Sequence, residues 1–338
     1  MRRILPTIGV GLALLMAATP APTHTSDDAQ HGVYVRLVEG IDGTVAEATD
    51  HLVEALEGAG WQILAVHATG MPAGCPYEAR VVVVHSPGYA ATIQPYGNHV
   101  AFAVPIRMVV FEDEGGVHVG GINLLSLNRT IVDEQVPASA WLPWQNRLGS
   151  AITSAFADHA VSTEYGQFRD VGRISRTFGI MAGGPFVEKI EAVMSVPAEG
   201  TSVAEVAARL HDGFGAVGDP GDWQLEPIYL VDLPEMQSAV IGVSGGPMEV
   251  QAFSIVGSGT DDSRDDYTCP GIDHAAAFPV ELVVTRVDDR IEVRIVDEMF
   301  RMKMFFEDAG KVAFAKNMGM PGSIENEIRR KVEAALGS

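Results

Sequence analysis

One four-residue pattern occurs twice in the chain, as Thr44-Val45-Ala46-Glu47 and again as Ser202-Val203-Ala204-Glu205. In each, a hydroxyl can accept from the backbone N–H three residues on, and the glutamate there can reach back to the first N–H, so both stretches are predicted to open helices. Helical spacing follows in both: Val45, Ala48, Leu52, Ala55, Leu56 and Ala59 in the first, and Val203, Val206, Ala207, Leu210, Phe214 and Val217 in the second. Each helix therefore has one stripe to bury. A chain that repeats such a unit must solve the same packing problem twice.

The correspondence continues in order. Gly60-Trp61-Gln62-Ile63 answers Asp222-Trp223-Gln224-Leu225, the valine run Val81 to Val84 answers Val240 to Val243, and Ser86-Pro87 answers Gly246-Pro247. Asn98-His99 is aligned with Asp273-His274, and Ala103-Val104-Pro105-Ile106 with Ala277-Phe278-Pro279-Val280. From Pro105 and Pro279 onward the spacing holds at 174 residues through a strand, a polar turn and a second strand. Each copy thus reads β-α-β-β-α-β-β, with a trailing helix near Trp141 to Ser162 and near Ile324 to Leu336. The alternation of Ile291, Val293 and Ile295 with Glu292 and Arg294 predicts a sheet with one packed and one wetter face. The expected class is α+β, two tandem two-layer α/β sandwich units, at 31–162 and 189–338, joined by a glycine-rich linker at 163–188.

The order of capped helix, Gly-Trp-like strand opening, valine-rich strand, Ser-Pro or Gly-Pro helix start and Pro-φ-x-Val-Val strand resembles the domain of unknown function 302 family. The resemblance covers most of 31–132 and extends more weakly over 189–308. It implies small α+β units that occur singly, as homodimers, or in tandem, so the two units here are expected to pack as an intramolecular pseudo-dimer in a monomeric chain. It implies a fold and no activity. The insertion from Ser258 to Cys269 is where the second copy departs most.

Arg2 and Arg3 precede an apolar run from Ile4 to Ala18, with small residues at Ala17, Ala18 and Ala21, which reads as a signal peptide over 1–21. A periplasmic or secreted location is expected, with no membrane span after cleavage because no second hydrophobic stretch of spanning length appears. The formal charge of −21 repels polyanions, so nucleic acid is excluded as a partner. Only five of the 23 basic residues are lysine, at 189, 303, 311, 316 and 331, a balance suited to a salt-rich environment.

Several residues carry possible chemistry. Gly242-Val243-Ser244-Gly245-Gly246 has the G-x-S-x-G form of a nucleophile elbow between a strand and a helix, with Ser244 as the nucleophile. Against it, His274 is the sole later histidine, and the first copy has Val82-Val83-Val84-His85-Ser86 there, so a glycine-rich helix start is the preferred reading. His85, His99, His118 and His274 are the ligand-binding candidates, with His99 and His274 as a recurring polar position. No compact metal spacing joins them, and ordinary hydrogen-bonded histidines are the competing reading. Met302, Met304, Met318 and Met320 are candidate soft ligands for copper. Phe300, Met302, Met304 and Phe306 equally make one apolar face of a core strand. Asp261, Asp262, Asp265 and Asp266 read as a solvated acidic loop, or less well as a calcium site. Cys75 and Cys269, an even pair in an exported chain, are either a disulfide joining the two units or two unrelated thiols, with the disulfide preferred. Trp141 and Trp144 are expected to staple the trailing helix to the sheet.

The function expected from these residues is an exported, non-enzymatic binding or interaction protein without a cofactor. Its partner would be a small molecule or a protein of unknown identity, with the pocket at the interface between units. The alternatives are a copper- or zinc-binding periplasmic protein and, less favoured, a serine hydrolase centred on Ser244.

Overall fold

A computed structural model describes residues 30–132, 136–169, 174–177, 182–257 and 268–337. The expected signal peptide and the aspartates 261, 262, 265 and 266 lie outside the described residues. The first half runs β1 (His31–Ile41), α1 (Val45–Gly58), β2 (Gln62–Ala68), β3 (Ala79–His85), α2 (Pro87–Ile93), β4 (Ile106–Asp113), β5 (Gly116–Ile122), α3 (Leu124–Ile131) and α4 (Leu142–Ala155). It is followed by β6 (Ala160–Arg169) and a small hairpin of β7 (Ile174–Thr177) and β8 (Ala182–Gly184). The second half runs β9 (Ile190–Pro197), α5 (Val203–Gly215), β10 (Glu226–Leu233), β11 (Ser238–Ser244), α6 (Gly246–Gly257), β12 (Val280–Val287), β13 (Arg290–Val296), α7 (Glu298–Phe306), α8 (Lys311–Lys316) and α9 (Gly319–Leu336).

The class is α+β with two antiparallel sheets. Their strand orders are β2-β3-β4-β5-β1-β6 and β10-β11-β12-β13-β9, so the first five positions correspond one to one. Even an irregularity is shared: the second strand of each sheet bulges, between Ile63 and Ala65 in β2 and between Pro227 and Tyr229 in β10. Both predicted capping boxes are formed. Thr44 Oγ1 and Ser202 Oγ each accept from the N–H of the glutamate three residues on at 3.2 Å, and Glu47 and Glu205 accept the returning N–H at 3.0 and 2.7 Å. Helices α1 and α4 cover one face of the first sheet, and α5 and α9 cover the matching face of the second. Burying Leu52 and Leu56 of α1, or Leu210 and Phe214 of α5, contributes about 2 kcal/mol per side chain.

The other face of each sheet was expected to be wetter, and in the central strands it is not. Every residue of β11 is buried, as are the first six of β4 and of β12, because the second face of each sheet packs on the other half of the chain. The embrace is reciprocal. A 3-10 segment at Asn98–Ala103 lies on β11 and β12, and its counterpart at Ile272–Ala277 lies on β3 and β4. At the centre Arg107 of β4 pairs with Glu281 of β12, two residues that occupy the same position in their respective sheets. Arg301 of α7 approaches the same carboxylate at 4.0 Å, and the ring of Phe305 sits 5.2 Å from both guanidinium carbons.

Three expectations are corrected. Residues 160–169, split between a trailing helix and the linker, form β6, which pairs with β1 through Tyr34↔Tyr165 and Val35↔Glu164. The β-favouring residues Val161, Thr163, Tyr165 and Phe168 outweigh the nearby glycine there. The methionine-bearing stretch is not a strand but α7, started by Asp297, whose side chain accepts from Phe300 N–H at 2.8 Å. Finally, the two 3-10 segments are 174 residues apart, which sets Val100, and not His99, opposite His274.

Candidate functional site

The structure draws Ser244 into a buried cluster between the halves. Ser244, only 1% exposed, ends β11, and its hydroxyl donates to Glu249, one turn into α6 and fully buried. Glu249 Oε1 lies 2.6 Å from His67 Nε2, and Oε2 accepts the Gly70 N–H at 2.6 Å, both from the first half. The order along this chain of contacts is serine, glutamate, histidine, so the serine hydroxyl faces a carboxylate acceptor and no imidazole base. The motif's glycines have packing reasons. A Cβ on Gly242 would run into the Tyr229 ring, and one on Gly245 into the Trp223 carbonyl. Gly70 lies against the Gly246 backbone, where an added Cβ would come within 2.6 Å of its carbonyl.

The histidine candidates are dispersed. His274 is buried between Asp273 at 2.8 Å and Asp308 at 2.9 Å, in a cage of Tyr34, Tyr165 and Phe306. Burial alone would lower its pKa, but the carboxylates of Asp308 and Asp273 outweigh it and hold the imidazole up at about 9. It is thus a cation locked into the interface. His118, on β5, bonds Asp113 at 2.7 Å and takes the Gly40 N–H at 3.3 Å. Burial opposes ionisation of Asp113, yet the bonds from His118 and the Gly115 N–H hold its carboxyl below the usual range. His99 reaches the Val132 carbonyl at 3.3 Å and borders an open, polar cleft with Glu292 and Arg294. Among the described residues, no group of three or more His, Cys, Asp or Glu side chains is arranged to hold a metal ion.

The methionines separate too. On a helix, positions two apart face different ways, so Met302 and Met304 do not share a side as they would on a strand. Met302 and Met320 border a small cavity with the buried Glu298, whereas Met304 is packed in the core and Met318 is partly exposed. Cys75 and Cys269 are joined as a disulfide, their Cα atoms 5.6 Å apart, linking the β2–β3 loop to the segment before β12. Trp141 is buried, and Trp144 packs edge-on against Trp61 and Tyr89 while donating to Thr92 at 3.1 Å.

His85 occupies a different kind of place. It ends β3 as Ser244 ends β11: Gln62 pairs with His85, and Glu226 with Ser244, at the start of the second strand of each sheet. It borders a cleft of about 310 Å³ between the halves. Gln62, His85, Pro87, Ala90, Ala91 and Gln94 line it from the first half, and Asp232 to Met236 from the second. His85 is 5% exposed, its Nδ1 has no hydrogen-bond partner among the described residues, and burial pushes its pKa down, so it is neutral at neutral pH.

The Ser244 cluster is the counterpart of this cleft. Glu249 stands five residues after Ser244, and Ala90 five residues after His85; the segment 68–70 ends β2 as 232–234 ends β10. In one copy a carboxylate fills the space and takes Gly70 N–H, Ser244 and His67 as partners. In the other a methyl group stands in its place, and the cleft remains. His85 was legible as a candidate from sequence. Glu249 was not, nor was its meeting with His67, because that depends on how the two halves embrace.

No family model matches the chain, and no curated protein matches it. Among solved structures, the chain is similar to the crystal structure of an uncharacterized conserved protein of the domain of unknown function 302 family from Bacillus stearothermophilus. The two are 15% identical, with a TM-score of 0.32 over 37% of this chain and 98% of that one. Among the described residues no helix is long and apolar enough to cross a membrane.

Proposed function

We propose that this protein is an exported, non-enzymatic binding protein built from two units of the domain of unknown function 302 type, whose ligand site is the cleft at His85. The repeated motifs and the matching strand orders support the tandem reading. The apolar run at 4–18 supports export to the periplasm or the medium. The observation that carries the site is His85, 5% exposed and without a hydrogen-bond partner among the described residues, on the wall of a cleft large enough for a small molecule. Buried polar side chains are nearly always partnered, and an unpartnered one lining a cleft is where a ligand atom can complete the set.

Native mass spectrometry of the purified protein, beside its denatured mass, tests this. A ligand that copurifies adds mass that disappears on denaturation. In Ala91→Trp, which projects an indole from an exposed position of α2 into the cleft, that extra mass is absent while the melting temperature is kept. Equal native and denatured masses, together with no ligand-induced stabilisation of the wild type across a chemically diverse small-molecule set, would overturn the reading.

A further inference from the structure

The walls of the cleft specify more than its size. Its two charged lining side chains, Asp232 and Glu235, are both acidic and both exposed, which places them at the rim. Among the described residues no lysine or arginine lines it. Two of the lining positions, Pro87 and Pro234, have no backbone N–H to offer. Gln94 donates through Nε2 to the Glu235 carbonyl at 2.6 Å, leaving its amide oxygen as an acceptor. The neutral His85, nearly inaccessible to solvent, lines the cleft, and Ala90, Leu233 and Met236 add apolar wall. The formal charge of −21 over the chain adds to the local preference for a cation.

We infer that this cleft, taken as the ligand site of a binding protein, accepts a small amino alcohol or closely related protonated amine; the inference rests on that binding reading. The ammonium is held at the rim by Asp232 and Glu235, and the far end of the molecule hydrogen-bonds His85. A hydroxyl suits His85 in either tautomer, since it can donate to a bare nitrogen or accept from a protonated one. The counterpart cleft already contains the Glu249 carboxylate, so one ligand binds per chain.

Four probes of similar length separate the parts of this inference when titrated calorimetrically into the intact protein: 4-aminobutan-1-ol, butylamine, 1,4-butanediol and 4-hydroxybutanoate. For molecules this small, dissociation constants of about a millimolar are expected. The amino alcohol should bind tightest, the diol about tenfold more weakly, and the hydroxy acid weakest. In Asp232→Asn/Glu235→Gln, a change confined to exposed side chains, the amino alcohol should fall to the level of the diol, which itself is unaffected. In His85→Phe the amino alcohol should lose its advantage over butylamine while the ammonium preference persists. If the diol or the hydroxy acid binds the wild type as well as the amino alcohol, the cationic ligand is wrong and the cleft stands. Binding that Ala91→Trp fails to remove would also overturn the placement. If none of the four binds, the inference falls, and the native mass measurement decides whether the binding reading falls with it.

Discussion

Replacing Glu281 alone with leucine should destabilise the protein far more than replacing all three members of its charge cluster. Glu281 sits between Arg107 and Arg301, and all three side chains are nearly inaccessible to water. In Glu281→Leu two guanidiniums stay buried around one aromatic ring without the carboxylate they share, a situation that costs about 3–5 kcal/mol. Their remaining bonds, Arg107 Nε to the Ala276 carbonyl at 2.7 Å and Arg301 to the Ala277 and Pro279 carbonyls, satisfy hydrogen atoms but do not neutralise charge. For a chain of this size about 2 °C is lost per kcal/mol, so the melting temperature should drop by about 6–10 °C. In Arg107→Met/Glu281→Leu/Arg301→Met the buried charges are gone and the volumes are approximately kept. Three carbonyls lose their donors, yet stability should return to within about 2 kcal/mol of wild type. Urea unfolding followed by circular dichroism gives both numbers. A single variant that loses less than about 1 kcal/mol would refute the reasoning, because it would mean water reaches the cluster; so would a triple variant less stable than the single one.

Stability should also fall as pH rises, for two reasons that act in successive windows. Burial raises the carboxyl of Glu298 from 4.5 to about 7 despite the nearby Arg301, so the fold favours its neutral form, and that advantage is lost between those values. His274, ordinarily at 6.5 and held at about 9, favours its charged form in the fold, and this contribution is complete below 6.5 and lost by about 9. Each is worth about 3 kcal/mol at most. Calorimetric melting at pH 5, 7 and 9 should show two successive decreases, and Glu298→Gln should remove the first; a melting temperature that climbs over this range contradicts both assignments. Reducing the Cys75–Cys269 bond releases a constraint across 194 residues and should lower stability by about 3–5 kcal/mol. The variant Cys75→Ser, unfolded in urea with and without reductant, checks this: it should match reduced wild type and be indifferent to reductant.

What could be read in the sequence was whatever is fixed within a few neighbouring residues. The capping boxes at Thr44 and Ser202, the valine runs and the hairpins at the 174-residue spacing announce their structures because the physics is local. Helix α7 was misread for lack of a deciding period: Phe300, Met302, Met304 and Phe306 fit a strand, but its nine residues are nearly all buried, and a segment buried on every side satisfies either pattern. The repeat held a clue, since Asn123 and Asp297, again 174 residues apart, cap α3 and α7. The pairing of His99 with His274 followed residue type, whereas the backbone register followed the 3-10 turns that pack across the interface. In the site, His85 was visible as a histidine at a strand end. Nothing near it in sequence shows that the facing loop leaves it a cleft, or that Glu249 closes the corresponding space opposite.

The meeting of Arg107 with Glu281 has a meaning beyond its energy. A position that touches its own counterpart lies on the axis relating the two halves, and there a symmetric pair would set identical side chains face to face. Two copies of the first half would oppose arginine to arginine, and two copies of the second would oppose glutamate to glutamate, each in a site with almost no water to screen the repulsion. At this position the halves of this chain are therefore not interchangeable: each carries the charge that fits the other and would repel its own kind.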